Sequence, residues 1–179
     1  MIAAMMPEDV AMTTMFTSIA GLAPRDGRHD FDFLLGKWAI AHRRLKRRLA
    51  GDREWQEFPG VCEARAIVGG LANVDDNAIA LPAGAYRAST LRVFDPATAQ
   101  WSIWWIDGRS PGLRAPVRGR FADGIGVFLG EDAHEGRAIL VRFVWSAITE
   151  RSARWEQAFS ADGGASWETN WVMSFARIE

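Results

Sequence analysis

The stretch Asp123-Gly124-Ile125-Gly126-Val127-Phe128-Leu129 is followed by Glu135-Gly136 and then by Ile139-Leu140-Val141-Arg142-Phe143-Val144-Trp145. It reads as short β-branched and aromatic strands cut by acidic-Gly turns, each run too brief for an independent helix. The same rhythm continues on both sides. Upstream lie Ala50-Gly51-Asp52, Gly69-Gly70, the run 91–94, Asp95-Pro96, the run 101–106 and Asp107-Gly108. Downstream lie Asp162-Gly163-Gly164 and the run 171–175. No segment after residue 36 sustains a helical period. The pattern predicts an all-β domain of eight to ten antiparallel strands joined mostly as hairpins, either a sandwich or an up-and-down barrel.

The N-terminal residues follow another period. Met12, Met15, Phe16 and Ile19 fall at i, i+3, i+4 and i+7 between Pro7 and Gly21. That spacing predicts a short amphipathic helix over 8–20 that lays its apolar stripe on something. The chain thus divides into a helix and lead-in (1–29) and a barrel domain (30–179). The first residues lack a basic n-region and carry Glu8 and Asp9, so they do not read as a secretory signal. No stretch approaches the 18 apolar residues of a membrane span.

Composition narrows the function classes. With 21 basic against 22 acidic residues, no overall field points to nucleic acid or membrane. The run Arg43-Arg44-Leu45-Lys46-Arg47-Arg48 is the one basic cluster. With Ala50-Gly51 as the turn, Arg47 faces Glu54, Lys46 faces Trp55 and Arg44 faces Glu57, so acids on the next strand answer it. Cys62 is the only cysteine, which excludes an internal disulfide and fits a reducing, cytoplasmic setting. It reads as a buried strand residue. His29, His42, Cys62 and His134 are scattered, with no ligand pair at metal spacing, and no metal is expected.

Two motifs add detail. Ser160-Ala161-Asp162-Gly163-Gly164-Ala165-Ser166-Trp167 matches the Asp-box pattern with Ser166 at the Thr position. A single copy serves as a turn staple, and it sets Phe159 opposite Glu168, Gln157 opposite Asn170 and Glu156 opposite Trp171. Asp30-Phe31-Asp32-Phe33-Leu34-Leu35-Gly36-Lys37-Trp38 is an apolar turn leading to G-x-W at the head of the first strand. This resembles the opening of calycin-like barrels: lipocalins, fatty-acid-binding proteins and nitrobindin-like domains. The tail from Arg154 to Ser160 and on to Asn170-Trp171 resembles a bacterial domain family of unassigned activity near that superfamily. The resemblance covers roughly residues 30 to 178. It implies a barrel of about ten strands around a small-molecule pocket, with Trp38 packed under Arg177. Nitrobindin-like domains hold haem through a C-terminal His. No His follows His134, so no cofactor is expected.

Period-2 alternation then assigns the interior. If Trp38 points inward, so do Ile40, His42 and Arg44, and the hairpin register brings Glu57 and Trp55 with them. On the last strand Trp171, Met173, Phe175 and Arg177 form the bulky inner face, which carries Glu156 and Arg154 inward. The faces of the runs 101–106 and 139–145 stay open, because both faces of each are apolar or aromatic. An apolar outer face would call for cover by the helix or by a second subunit. With Thr149-Glu150-Arg151 as a turn, Arg142 falls opposite Ala158 and diagonal to Glu156. The expectation is a cavity lined by rings and by two Arg–carboxylate pairs, Arg44–Glu57 and Arg142–Glu156, near His42.

Three readings follow. The first is a binding protein holding an amphipathic or anionic small molecule against Arg44, Trp55, Arg142, Glu156 and Trp171. The second is a cofactor-independent isomerase, cyclase or hydratase in the same cavity, with His42 as acid or base and Glu57 orienting it. The third is a structural or partner-binding module. Hydrolase elbows, P-loops, dinucleotide fingerprints and H-E-x-x-H are absent from the sequence.

Overall fold

A computed structural model describes residues 26–110 and 112–178. The helix expected over 8–20 lies outside the described residues. The strands are β1 (Gly36–Leu45), β2 (Trp55–Ile67), β3 (Ala72–Ile79), β4 (Tyr86–Asp95), β5 (Gln100–Asp107), β6 (Val117–Ala122), β7 (Ile125–His134), β8 (Arg137–Ser146), β9 (Ser152–Ser160) and β10 (Glu168–Ile178). Each pairs antiparallel with its neighbour in sequence, and β10 returns to β1, so the sheet closes into a ten-stranded barrel. The acidic-Gly turns have the expected handedness. Asp123 and Gly124 (φ 51° and 77°) and Glu135 and Gly136 (φ 51° and 79°) form two-residue connections that match strand twist.

One end of the barrel is plugged. A 3-10 turn over Asp32–Leu34 delivers Phe31 and Leu34 into the core, both essentially unexposed. The Phe31 ring meets Trp101 and Phe121 edge-on at 5.0 Å each, and Trp145 at 6.0 Å. Trp38 Nε1 donates to Leu34 O at 2.7 Å, and the Arg177 guanidinium lies 4.2 Å above the Trp38 ring. Arg177 also donates to Leu35 O, Phe33 O and Glu150 O, which ties the lead-in to the last strand. At the closing hairpin Asp162 accepts from Ser166 N and Oγ and from Ser160 Oγ, as an Asp-box staple should. Those hydroxyl and amide donors hold its carboxyl down at about 2.

Two registers differ from the sequence reading by one residue. Between β1 and β2, Arg43 pairs with Glu57, Arg44 with Gln56 and Leu45 with Trp55. The connection is not a two-residue turn at Ala50-Gly51. Lys46 N bonds Glu54 O, Asp52 accepts from Arg47 N and Glu54 N, and Leu49 folds back so that its N–H reaches Glu168 Oε1. Between β9 and β10, Phe159 does face Glu168, but a bulge between Thr169 and Trp171 then sets Gln157 against Trp171 and Glu156 against Val172. A one-residue slip reverses every side chain beyond it. The open faces are settled too: Trp101, Ile103 and Trp105 point inward on β5, and Ile139, Val141, Phe143 and Trp145 on β8. On β7 the outer residues Ile125, Val127 and Leu129 remain exposed.

Candidate functional site

The end of the barrel opposite the plug encloses a cavity of about 380 Å³. Its floor is aromatic, with Trp105, Phe143, Trp155, Phe159 and Trp171 supplied by four different strands. Trp171 meets Trp105 and Trp155 edge-on, at 5.8 and 5.7 Å. Its mouth is charged: Arg44, Arg48, Arg109 and Arg114 alternate with Asp107, Glu131, Asp132 and Glu135. Formally these charges cancel, but they are not arranged alike. Arg109 is tied to Asp107 at 2.6 Å and Arg114 to Asp132 at 3.0 Å, while Glu131 and Glu135 stand exposed on the rim.

Arg44 and Arg48 lie deeper and, among the described residues, form no ion pair. Arg44, only 9% exposed, sits between the rings of Phe58 and Trp171 at 5.8 and 5.1 Å, and its Nε has no acceptor. Arg48 leans over Phe159 at 5.9 Å. Ring faces stabilise a cation by about 0.5–2 kcal/mol but leave its N–H groups unused. Burial lowers the Arg44 pKa against the pull of Tyr86, with repulsion by Arg48 and Arg109 adding to it; burial and Arg109 do the same to Arg48, against the fields of Glu135, Tyr86 and Glu168. Tyr86, on β4 nearby, has a pKa raised by burial against the pull of the Arg109 and Arg44 cations, with Arg109 3.6 Å over its ring. His134 closes the wall, its Nε2 also unpartnered. Of the groups lining this pocket, Arg44 Nε and His134 Nε2 are buried nitrogens without partners.

The structure places Arg44 and Trp171 in this wall. His42 lies behind it, 2% exposed. Trp171 Nε1 donates to His42 Nδ1 at 3.2 Å, and the imidazole stacks on Phe58 at 4.9 Å. Accepting at Nδ1 puts the imidazole proton on Nε2, which points at Gly60, where a Cβ would lie 2.5 Å away. Burial, then the Arg44 charge, pushes its pKa down to about 4. His42 is a neutral packing group that fixes the Trp171 ring. Cys62 is buried, with its thiol pushed up to about 12 by burial.

Five residues expected inside stand on the outer face. Glu57 is exposed and pairs with Arg43 at 3.8 Å, and Trp55 lies under the Arg43 guanidinium at 4.7 Å. Both were turned outward by the β1–β2 slip. Arg142 does oppose Ala158, yet it points outward and covers Trp167 at 4.5 Å. Glu156 and Arg154 are both outward because of the β10 bulge, and they pair with each other at 2.6 Å. The expected Arg44–Glu57 and Arg142–Glu156 pairs are therefore not made.

The buried ion pair is elsewhere. Arg92 on β4 and Asp75 on β3 meet at 2.6 Å with side chains 5% and 3% exposed. Asp75 also accepts from Thr90 N at 2.7 Å and Asn77 Nδ2 at 2.5 Å, and Arg92 Nη1 donates to Asn73 Oδ1 at 3.0 Å. A sequence signal existed: Asn73, Asp75 and Asn77 recur at period 2, a polar face that alternation assigns to solvent by default. Arg48 and Arg109 lie in connections between strands, where no periodicity speaks.

The fold and cavity define the class: a closed, antiparallel barrel with an internal pocket reached from one end. Among solved structures, an S-type phycobiliprotein lyase from Guillardia theta shares the barrel with a TM-score of 0.60, over 87% of this chain and 95% of that one, at 10% identity. No family model and no curated protein matches the chain. Among the described residues no cluster of His, Cys, Asp and Glu is placed to hold a metal ion, and no helix is long and apolar enough to cross a membrane.

Proposed function

We propose that the protein binds an amphipathic small molecule, with an anionic group between Arg44 and Arg48 and an apolar body against Trp105, Trp155 and Trp171. The observation that carries this is the buried Arg44 guanidinium, which has no ion-pair partner, beside the half-buried Arg48 and above an aromatic floor. A buried charge without a counter-charge is costly, and an anion entering the pocket removes that cost while displacing water from the rings. The volume suits a ligand of drug-like size or smaller. Likeness to a phycobiliprotein lyase supports a function centred on the barrel interior and adds nothing about the ligand. Acid–base chemistry on His42 finds no support, because its free nitrogen faces Gly60 and not the cavity.

Biphenyl-4-carboxylate is a suitable probe, read by quenching of tryptophan fluorescence and checked by calorimetry. It should bind more tightly than the neutral biphenyl-4-carboxamide. Arg44→Met with Arg48→Met should weaken the carboxylate at least about tenfold, the worth of one charge-assisted hydrogen bond. Equal binding of acid and amide to the unaltered protein would overturn the reading.

A further inference from the structure

Behind the main cavity lies a second, much smaller chamber of about 30 Å³. Ile103, Trp105, Phe143 and Trp155 border both spaces, so these side chains are the partition. The outer side of that partition is apolar, and the inner side is not. The chamber is bordered by Arg92, Asp75, Asn77 and Thr90, which belong to the buried network described above. This polar floor stands against Ile, Trp, Phe and Met side chains that border the rest of the chamber. A buried ion pair adds weakly to net stability and is often replaceable by packed apolar groups.

Within this network one fully buried side-chain atom has no hydrogen-bond partner. Asp75 has three donors: Arg92 Nη2, Thr90 N and Asn77 Nδ2. Arg92 Nη1 is used by Asn73. Arg92 Nε is buried with no acceptor. Rings lie near the guanidinium, Phe31 at 5.3 Å and Trp145 at 5.9 Å, but a ring face does not replace an oxygen. The idle group is thus a donor whose charge is already neutralised by Asp75. It calls for a neutral acceptor and would gain little from a second anion.

We infer that the inner chamber is a second ligand subsite, which takes a neutral hydroxyl or carbonyl oxygen at the far end of the molecule whose anionic end lies at Arg44 and Arg48. This deepens the proposed function and rests on it. The ligand class becomes an elongated, ring-bearing monoanion with an oxygen at the opposite end, its body crossing between Trp105 and Trp155. The chamber has room for a water-sized group, enough for a terminal oxygen and little more. Selectivity against a purely apolar tail follows, because a methyl group there would displace water and leave Arg92 Nε idle.

Two near-isosteric probes separate the outcomes by sign: 4′-hydroxybiphenyl-4-carboxylate and 4′-methylbiphenyl-4-carboxylate, titrated calorimetrically into the whole protein. A dry apolar pocket prefers the methyl compound, since it is the more hydrophobic. The polar subsite predicts the reverse, with the hydroxyl compound about fivefold tighter, as one satisfied buried donor would give. The double variant Asp75→Asn, Arg92→Met removes both charges together, and in it the preference should fall to unity or below. Its folding is checked by near-UV circular dichroism, and the comparison on the unaltered protein stands without it. If the methyl compound binds the unaltered protein as tightly as the hydroxyl compound or better, the inner subsite is overturned and the anion site is untouched. If neither carboxylate binds, the anion site is overturned and this inference falls with it.

Discussion

The two ends of the barrel are made by the same strands, yet they treat arginine in opposite ways. At the plugged end Arg177 lies over Trp38 and spends its N–H groups on three backbone carbonyls, which closes the lead-in onto the barrel. At the open end Arg44 also rests on rings, but its Nε meets no acceptor and no carboxylate stands beside it. A ring face supports the cation in both places; only the plugged end completes the hydrogen bonding. The difference teaches that cation–π contact alone does not mark an arginine as structural. Between these two arginines the distinction is that Arg177 uses its donors on backbone carbonyls and Arg44 Nε faces the cavity wall without an acceptor.

Three measurements break or sharpen this contrast. The largest effect belongs to the interior beneath the plug. Arg92→Met leaves Asp75 buried without its counter-charge and should destabilise the fold by about 3–5 kcal/mol in denaturant titrations. A loss below about 1 kcal/mol would mean that water reaches Asp75 and that this end is not closed.

The next effect comes from His42, at the border between the ends. Its folded pKa of about 4 lies below the ordinary value of 6.5, so the neutral form is the one the fold favours. The contribution is intact above pH 6.5 and is lost as pH falls towards 4, because the unfolded chain takes up the proton first. At about 1.4 kcal/mol per unit, the loss approaches roughly 3 kcal/mol. His42→Gln should flatten that part of the stability–pH curve relative to the unaltered protein. An unchanged slope between pH 6.5 and 4 would assign the dependence to carboxylates instead.

The smallest effect tests the outer wall. Arg142→Met should change stability by no more than about 1 kcal/mol, since it removes a contact with Trp167 and no buried counter-charge. A loss of several kcal/mol would restore an inward Arg142 and upset the face assignment of β8.

While the Trp38–Arg177 contact was what the resemblance to calycin-like barrels implied, the sequence by itself determined the strands, their antiparallel order and most turns. These are local signals: acidic-Gly turns, short β-branched runs and a strand too brief to be anything else. The alternation also put Arg44 and Trp171 on the inner face of their strands. Tertiary structure alone decided the rest of the cavity. Register between strands depends on the parity of a connection, and Leu49 folding back onto Glu168 or one extra residue at Asn170 shifts that parity by one. That is why Glu57, Trp55 and Glu156 were read on the wrong side. Asp75 and Arg92 were missed for a different reason: alternation sorts polar residues to solvent, and only closure of the sheet shows that two of them face each other in the buried interior.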